Sequence, residues 1–79
     1  MKIANKEHEV KTVYSNDELR RATIISYGDG FYIDFYYNDV LIDSYNAYGQ
    51  SLKYSEDMAN SFIDGIIGID RRTWRINGI

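Results

Sequence analysis

Two turn-favouring residue pairs divide the middle of the chain into segments in which apolar and polar residues alternate. Asp29-Gly30 and Asn38-Asp39 lie between runs rich in Ile and Tyr. A type I′ hairpin turn favours Asn, Asp and Gly because both of its central residues need a positive φ. The pattern therefore predicts an antiparallel meander whose three strands cover residues 20–28, 31–37 and 40–46.

Side chains along a strand alternate between the two faces of its sheet, so two-residue turns determine which residues share a face. One predicted face is almost wholly apolar and is expected to form the core: Ala22, Ile24, Ser26, Ile33, Phe35, Tyr37, Val40 and Ile42. The other predicted face is half aromatic and half polar: Thr23, Ile25, Tyr27, Tyr32, Asp34, Tyr36, Leu41, Asp43 and Tyr45.

A single helix is predicted over about residues 51–67, packed on the apolar sheet face. Its stripe of small and apolar residues recurs at helical spacing: Leu52, Ser55, Ala59, Phe62, Ile63 and Ile66. Ser51 or Ser55 can cap the first turn with a side-chain oxygen. Gly65 and Gly68 both suit the end of the helix, and Gly68 is the preferred C-cap.

The remaining segments complete an α+β fold, with an antiparallel meander of three to five strands packed on one helix. Weak alternation over residues 9–14 indicates a further strand, and residues 73–76 suit a last edge strand. Ser15 and Glu18 have the spacing of a capping box, which indicates a turn or one helical turn. With 79 residues and no linker, residues 1–79 are expected to form a single domain.

Composition excludes several classes of protein. The chain has no Cys and one His, His8, so it can form neither disulfides nor a multi-His zinc site. No apolar run approaches a membrane span of about 20 residues, and the N-terminus lacks the apolar segment of a signal peptide. We therefore expect a cytoplasmic protein that needs no cofactor. The net charge of −3 disfavours nucleic acid as a partner.

The abundance of tyrosine, eight residues in 79, is the most unusual feature. An apolar and aromatic patch on a small protein often marks an interaction surface, and Tyr is enriched in binding hot spots. The candidates for such a surface are Tyr27, Tyr32, Tyr36, Leu41 and Tyr45. Three interpretations remain open: a contact with a second copy or another protein, a platform on which bases stack, or a second core covered by a terminal segment.

Two further groups of residues have both a structural and a functional interpretation. Asp34 and Asp43 are directly opposite in the predicted register, where like charges destabilise a sheet. They are expected to be solvated or paired with Arg, to contact another subunit, or to hold a cation or a proton; otherwise the register differs. The segment containing Arg71, Arg72, Trp74 and Arg75 suits either a C-terminal strand or contacts to a nucleic acid.

One part of the sequence resembles known proteins. The spacing Ser51-Leu52-x-Tyr54-x-Glu56-Asp57-x-Ala59-x-x-Phe62-x-x-Gly65-Ile66, after a Tyr-rich hairpin, resembles short uncharacterised proteins encoded by marine tailed bacteriophages. The similarity covers residues 31–67 and consists of packing and capping residues, with Ser55 where Ala is common. It implies an accessory phage protein that acts in the bacterial cytoplasm, and it carries over no site residue.

These observations predict a non-enzymatic protein-interaction module, because no catalytic set of residues is present. Its partner is expected to be a second copy of the chain or another protein, with the Tyr-rich face as the contact. The alternative is single-stranded nucleic-acid binding through this face and the C-terminal residues Arg71, Arg72, Trp74 and Arg75. An enzyme ranks last, since it would need a site shared between subunits with Asp34 and Asp43 as its carboxylates.

Overall fold

Four strands form one antiparallel sheet in chain order, and a helix packs on one side of it. The computed structural model describes residues 8–66, 68–70 and 75–77. The elements are β1 His8–Tyr14, β2 Arg20–Tyr27, β3 Gly30–Tyr37, β4 Val40–Asn46, α1 Leu52–Ile63, β5 Gly68–Asp70 and β6 Arg75–Asn77. The short strands β5 and β6 pair with each other in a separate ladder. The predicted α+β fold with an antiparallel meander on one helix is confirmed.

The turn between β2 and β3 lies one residue earlier than the sequence predicts. Tyr27 pairs with Gly30, so the central residues of the turn are Gly28 and Asp29, and Gly28 has the positive φ of 60°. Ala22 consequently pairs with Phe35, and every cross-strand partner shifts by two residues. A shift of two leaves each side chain on its predicted face, because the faces alternate with a period of two.

The other two connections of the sheet are tight turns. Asn38 and Asp39 have φ values of 52° and 66°, which confirms the predicted turn between β3 and β4. Between β1 and β2, the Ser15 hydroxyl donates to Asp17 and accepts from the backbone N–H of Arg20. The bond from Ser15, and a second from the N–H of Leu19, lower the pKa of Asp17. The expected strand over residues 9–14 is present as β1.

Strand β4 contains an extra residue that the sequence analysis did not predict. Leu41 pairs with Tyr36, but Asp43 already pairs with Phe35, so Ile42 has no partner of its own. Such a β-bulge moves every later residue of the strand to the opposite face. Ser44 therefore takes the place opposite Asp34, and Tyr45 lies opposite Ile33.

The core fills the space between α1 and the helix-facing side of β2 and β3. It consists of Ala22, Ile24, Ile33, Phe35, Ala59 and Phe62, all almost fully buried. The Phe35 and Phe62 rings lie 4.8 Å apart, centre to centre, at a tilt of 55°. Burial of each Phe side chain contributes about 1.5–3 kcal/mol, so this pair is a main link between helix and sheet. Val40, predicted to face the core, is 61% exposed beyond the area that α1 covers.

Both ends of α1 are capped within the chain. The side chain of Ser51 accepts a hydrogen bond from the N–H of Tyr54, so Ser51 rather than Ser55 is the N-cap. The helix ends at Ile63, four residues before the predicted limit. Gly65 has a φ of 82°, and the N–H groups of Gly65 and Ile66 return to the carbonyls of Phe62 and Ser61. This Schellman motif makes Gly65, not Gly68, the glycine that terminates the helix.

Arg20 joins the sheet to the C-terminal end of the helix. Its Nη1 donates to the carbonyl oxygen of Phe62 at 2.8 Å, and its guanidinium lies 5.0 Å from the centre of the Phe62 ring. A cation at this end is favourable because the last carbonyls of a helix carry a partial negative charge. Lys11 of β1 adds an ion pair with Glu56 at 3.7 Å. Polar contacts therefore surround the apolar link between sheet and helix.

Ser55 is the weak point of this core. The residue is fully buried on the helix face that meets the sheet, and its hydroxyl has no hydrogen-bond partner among the described residues. Replacing Ser55 with Ala removes an unsatisfied buried hydroxyl, and Ala also favours the helix. We expect Ser55→Ala to raise the free energy of unfolding by about 1 kcal/mol, or Tm by about 4–8 °C.

Thermal and urea unfolding measure this effect. Ser61→Ala, at a half-buried position of the same helix, is the matched control, since it changes helix propensity without removing a fully buried hydroxyl. A Ser55→Ala variant no more stable than Ser61→Ala would show that the hydroxyl of Ser55 is satisfied.

Candidate functional site

The sheet face turned away from α1, here called the open face, is ordered in rows that run across the strands. The strand register places the following side chains side by side. The first row is Tyr14, Arg21, Tyr36 and Leu41. The second, the polar row, is Thr12, Thr23, Asp34 and Ser44. The third is Glu9, Ile25, Tyr32 and Asn46. Tyr27 follows beside Gly30. A band of polar groups thus crosses the face between two rows that contain aromatic residues.

Large apolar side chains on the open face remain accessible. Tyr14 is 57% exposed, Leu41 51% and Tyr27 41%, while Tyr32 and Tyr36 are half-buried among their neighbours. The helix covers only the other face, where the core lies. A shallow hollow of about 260 Å³ lies on the β1–β3 side of the open face, between the Tyr14, Arg21 and Tyr36 side chains. The open face therefore has a concave region as well as exposed apolar side chains.

Hydrogen bonds fix the polar row in place. The Thr12 hydroxyl donates to Glu9 Oε2 at 2.6 Å and lies 3.1 Å from the Thr23 hydroxyl. On the other side of the row, the Ser44 hydroxyl donates to Asp34 Oδ1 at 2.5 Å. Side chains that are already hydrogen-bonded lose little freedom on binding a partner. The row is thus preorganised rather than loosely solvated.

Arg21 provides positive charge on the first row. Its guanidinium lies 3.9 Å from the centre of the Tyr36 ring, and its Nη1 is 3.3 Å from Asp39 Oδ1 at the β3–β4 turn. Stacking on the ring restricts the freedom of the Arg side chain. Arg21 on β2 is diagonal to Asp34 on β3, so opposite charges stand close together on one face.

Tyr45 does not belong to the open face, and its assignment there was wrong. The bulge at Ile42 turns Tyr45 towards the helix, where it packs against the core. Its phenol oxygen lies 2.9 Å from that of Tyr54 on α1. This hydrogen bond, together with burial, raises the pKa of Tyr45. The other four predicted surface residues, Tyr27, Tyr32, Tyr36 and Leu41, do share the open face.

The predicted opposition of Asp34 and Asp43 is also wrong. Asp34 lies opposite Ser44, and Asp43 pairs with Phe35 instead. A direct clash of two carboxylates is avoided, and the Ser44 hydroxyl compensates the charge of Asp34. Of the alternatives drawn from the sequence, a different register is the one that the structure shows. The two carboxylates accordingly do not form the pair that metal or acid–base chemistry would need.

Tyr48, which the sequence analysis did not select, completes the open face. Its ring lies over Gly30, and its hydroxyl donates to the carbonyl oxygen of Tyr27. A Cβ on Gly30 would come within 2.6 Å of the Tyr48 ring, so the glycine makes room for the aromatic side chain. The only signals in the sequence for this contact were the glycine at the first position of β3 and the tyrosine in the loop after β4.

The C-terminal candidates are only partly accounted for. Arg71, Arg72 and Trp74 lie outside the described residues, and Arg75 belongs to β6, where it lies opposite Asp70 of β5 in the strand pairing.

Within residues 8–66, 68–70 and 75–77 no three His, Asp or Glu side chains are grouped so that they could hold a metal ion. In the same part of the chain, no helix is long and apolar enough to cross a membrane.

Comparison with known proteins adds no relative. Neither a protein-family model, nor a curated protein, nor a solved structure matches the chain. The resemblance to proteins of marine tailed bacteriophages therefore stays a prediction. Any functional conclusion has to rest on the geometry of the open face.

The contact between Gly30 and Tyr48 gives a direct test of this geometry. Gly30→Ala places a methyl group against the Tyr48 ring, and we expect the free energy of unfolding to fall by about 1–3 kcal/mol, as for other overpacked sites. In a Tyr48→Ser background the same substitution should cost nothing, because the obstructing ring is gone. Urea unfolding of the four chains in this double-mutant cycle measures the coupling. Equal effects of Gly30→Ala in both backgrounds would contradict the placement of Tyr48.

Proposed function

We propose that this protein is a non-enzymatic protein-interaction module that self-associates through the open face of its sheet. The observation that carries the proposal is the set of exposed apolar side chains on that face, Tyr14, Tyr27 and Leu41, on the side of the sheet opposite to the helix. The same face holds a fixed polar row. Tyr contributes a large contact area with few rotatable bonds, which suits it to protein interfaces.

The size of the face supports this role. Four strands about 4.8 Å apart, each seven or eight residues long at about 3.3 Å per residue, make a face about 19 Å by 25 Å. That flat area is about 500 Å², and it includes the polar row. It approaches the roughly 600 Å² per partner of small specific interfaces before the relief of the side chains is included.

Charge on the face favours a protein over a nucleic acid. The three rows of the open face hold the carboxylates of Glu9 and Asp34 against a single cation, Arg21. Phosphate groups would meet these carboxylates, while most non-specific affinity for nucleic acid comes from phosphate contacts. A protein surface can instead place neutral or positive groups opposite these carboxylates. Action as an accessory phage protein in a bacterial cytoplasm is compatible with this role and rests on the resemblance alone.

Two neighbouring residues of β4 provide a matched test. Leu41 points to the open face, whereas Val40, equally apolar and 61% exposed, points to the other side. We expect the mass of the wild-type chain, 9.2 kDa as a monomer, to rise towards a dimer with concentration. Leu41→Ser should shift this transition to at least tenfold higher concentration, and Val40→Ser should leave it unchanged. Light scattering behind a sizing column measures all three chains.

A wild-type chain that stays monomeric up to millimolar concentration would contradict self-association. Association that Val40→Ser weakens and Leu41→Ser does not would place the interface on the wrong face of the sheet.

A further inference from the structure

The rows of the open face differ in chemistry, and this restricts how two copies can meet. Two sheets that pack face to face lie about 10 Å apart, with strands about 30° from parallel alignment. A symmetric pair needs a two-fold axis in the plane between the sheets. The axis runs either along the strands or across them, and the two choices bring different residues together.

An axis across the strands gives poor contacts. If it passes through the polar row, Asp34 of each copy lies over Asp34 of the other, which brings two carboxylates together away from water. If it passes between rows, the polar row lies over a row that contains aromatic residues. Over the first row, the hydroxyls of Thr12 and Ser44 lose water against Tyr14 and Leu41 without gaining a partner, whereas Asp34 gains one, the copy's Arg21. Over the third row, Thr23 lies over Ile25 and Asp34 over Tyr32.

An axis along the strands, between β2 and β3, keeps each row over the same row of the second copy. Arg21 then lies over Tyr36 of the copy, and Tyr14 lies over Leu41, so a cation meets a ring and two apolar side chains meet. These contacts occur twice by symmetry. No charged side chain of the described face then lies over a side chain of the same charge.

In the polar row, this arrangement also brings opposite charges together. Asp34 faces Thr23 of the copy and lies diagonal to the copy's Arg21, within reach of a long side chain. At the edges of the sheet, Thr12 faces Ser44 and Glu9 faces Asn46, which are pairs able to form hydrogen bonds. From this charge and row complementarity we infer that the partner of the open face is a second copy of the chain, stacked about a two-fold axis parallel to the strands between β2 and β3.

This inference rests on the proposed self-association and specifies its geometry. Because the chain has no Cys, cysteines introduced at single positions report on the arrangement without interference. Thr12→Cys and Ser44→Cys are conservative substitutions in size at opposite edges of the polar row, and both leave Asp34 in place. In the inferred dimer, residue 12 of one copy faces residue 44 of the other. Two copies of the same position are separated sideways by three strand spacings, or about 14 Å.

The experiment cross-links the two variants, alone and mixed in equal amounts, with a short bifunctional thiol reagent, because facing thiols both point into the ~10 Å gap between packed sheets. We expect a covalent dimer in the mixture, identified by mass spectrometry as one Thr12→Cys chain joined to one Ser44→Cys chain. Each variant alone should give at least tenfold less. Light scattering on both variants establishes that they still associate.

A dimer that forms equally well from a single variant would overturn the inferred axis, because an axis across the strands brings residue 12 over residue 12. Association without any cross-link in the mixture would also overturn it, while leaving self-association through the open face intact. If a variant fails to fold or to associate, Glu9→Cys with Asn46→Cys repeats the experiment in the neighbouring row. A chain that does not associate at all removes both the inference and the proposed function.

Discussion

A single extra residue in β4 decides which side chains of that strand face the helix and which lie on the open face. With Ile42 lacking a partner of its own, the second half of β4 is turned over relative to the first half. Tyr45 is thereby directed to Tyr54 and the core, and Ser44 is directed to Asp34. Without the bulge, Asp34 and Asp43 would oppose each other on the sheet. The phenol of Tyr45 would then be missing from the contact with α1. The residues that the second half of β4 contributes to each face follow from this one local irregularity.

The helix imposes the other constraint, because one helix of 12 residues covers only one face of a four-stranded sheet. Its packing is centred on Phe62 against Phe35, and Arg20 joins the end of the helix to β2. This arrangement buries the apolar side of β2 and β3 and leaves β4 partly uncovered. The open face must therefore combine apolar side chains with enough polar groups to stay in water. The ordered polar row between rows that contain aromatic residues meets that requirement.

Much of the fold could be predicted from the sequence, because strand faces depend on a period of two and survive an error in the turn. The misplaced β2–β3 turn changed the partners of Ala22 and left its face unchanged. The end of the helix was harder, since Gly65 and Gly68 are equally able to adopt a positive φ. Only the hydrogen bonds made by Gly65 and Ile66 distinguish them. Tyr48 was missed because its role depends on a contact with Gly30 from another part of the chain.

The bulge was the decisive feature that the alternating pattern could not predict, since an alternating pattern assumes an unbroken strand. The signal was nevertheless present, because opposed carboxylates at Asp34 and Asp43 conflicted with a stable sheet and a shifted register was one way to resolve that conflict. The predicted sheet face was therefore correct for Tyr27, Tyr32, Tyr36 and Leu41, which lie before the bulge or on β2 and β3. It was wrong at Tyr45, which lies after it. Local conflicts of charge are thus a useful guide to irregular pairing.

The position of the Tyr45 ring tests this account most directly. In an unbroken register Tyr45 would lie opposite Tyr32 on the open face, whereas the bulge places it against Tyr54 of the helix. Nuclear Overhauser effects between assigned tyrosine rings in solution distinguish the two arrangements. We expect strong contacts between the Tyr45 and Tyr54 rings and none between Tyr45 and Tyr32. Contacts of Tyr45 with Tyr32 and not with Tyr54 would contradict the bulge and, with it, the composition of the open face.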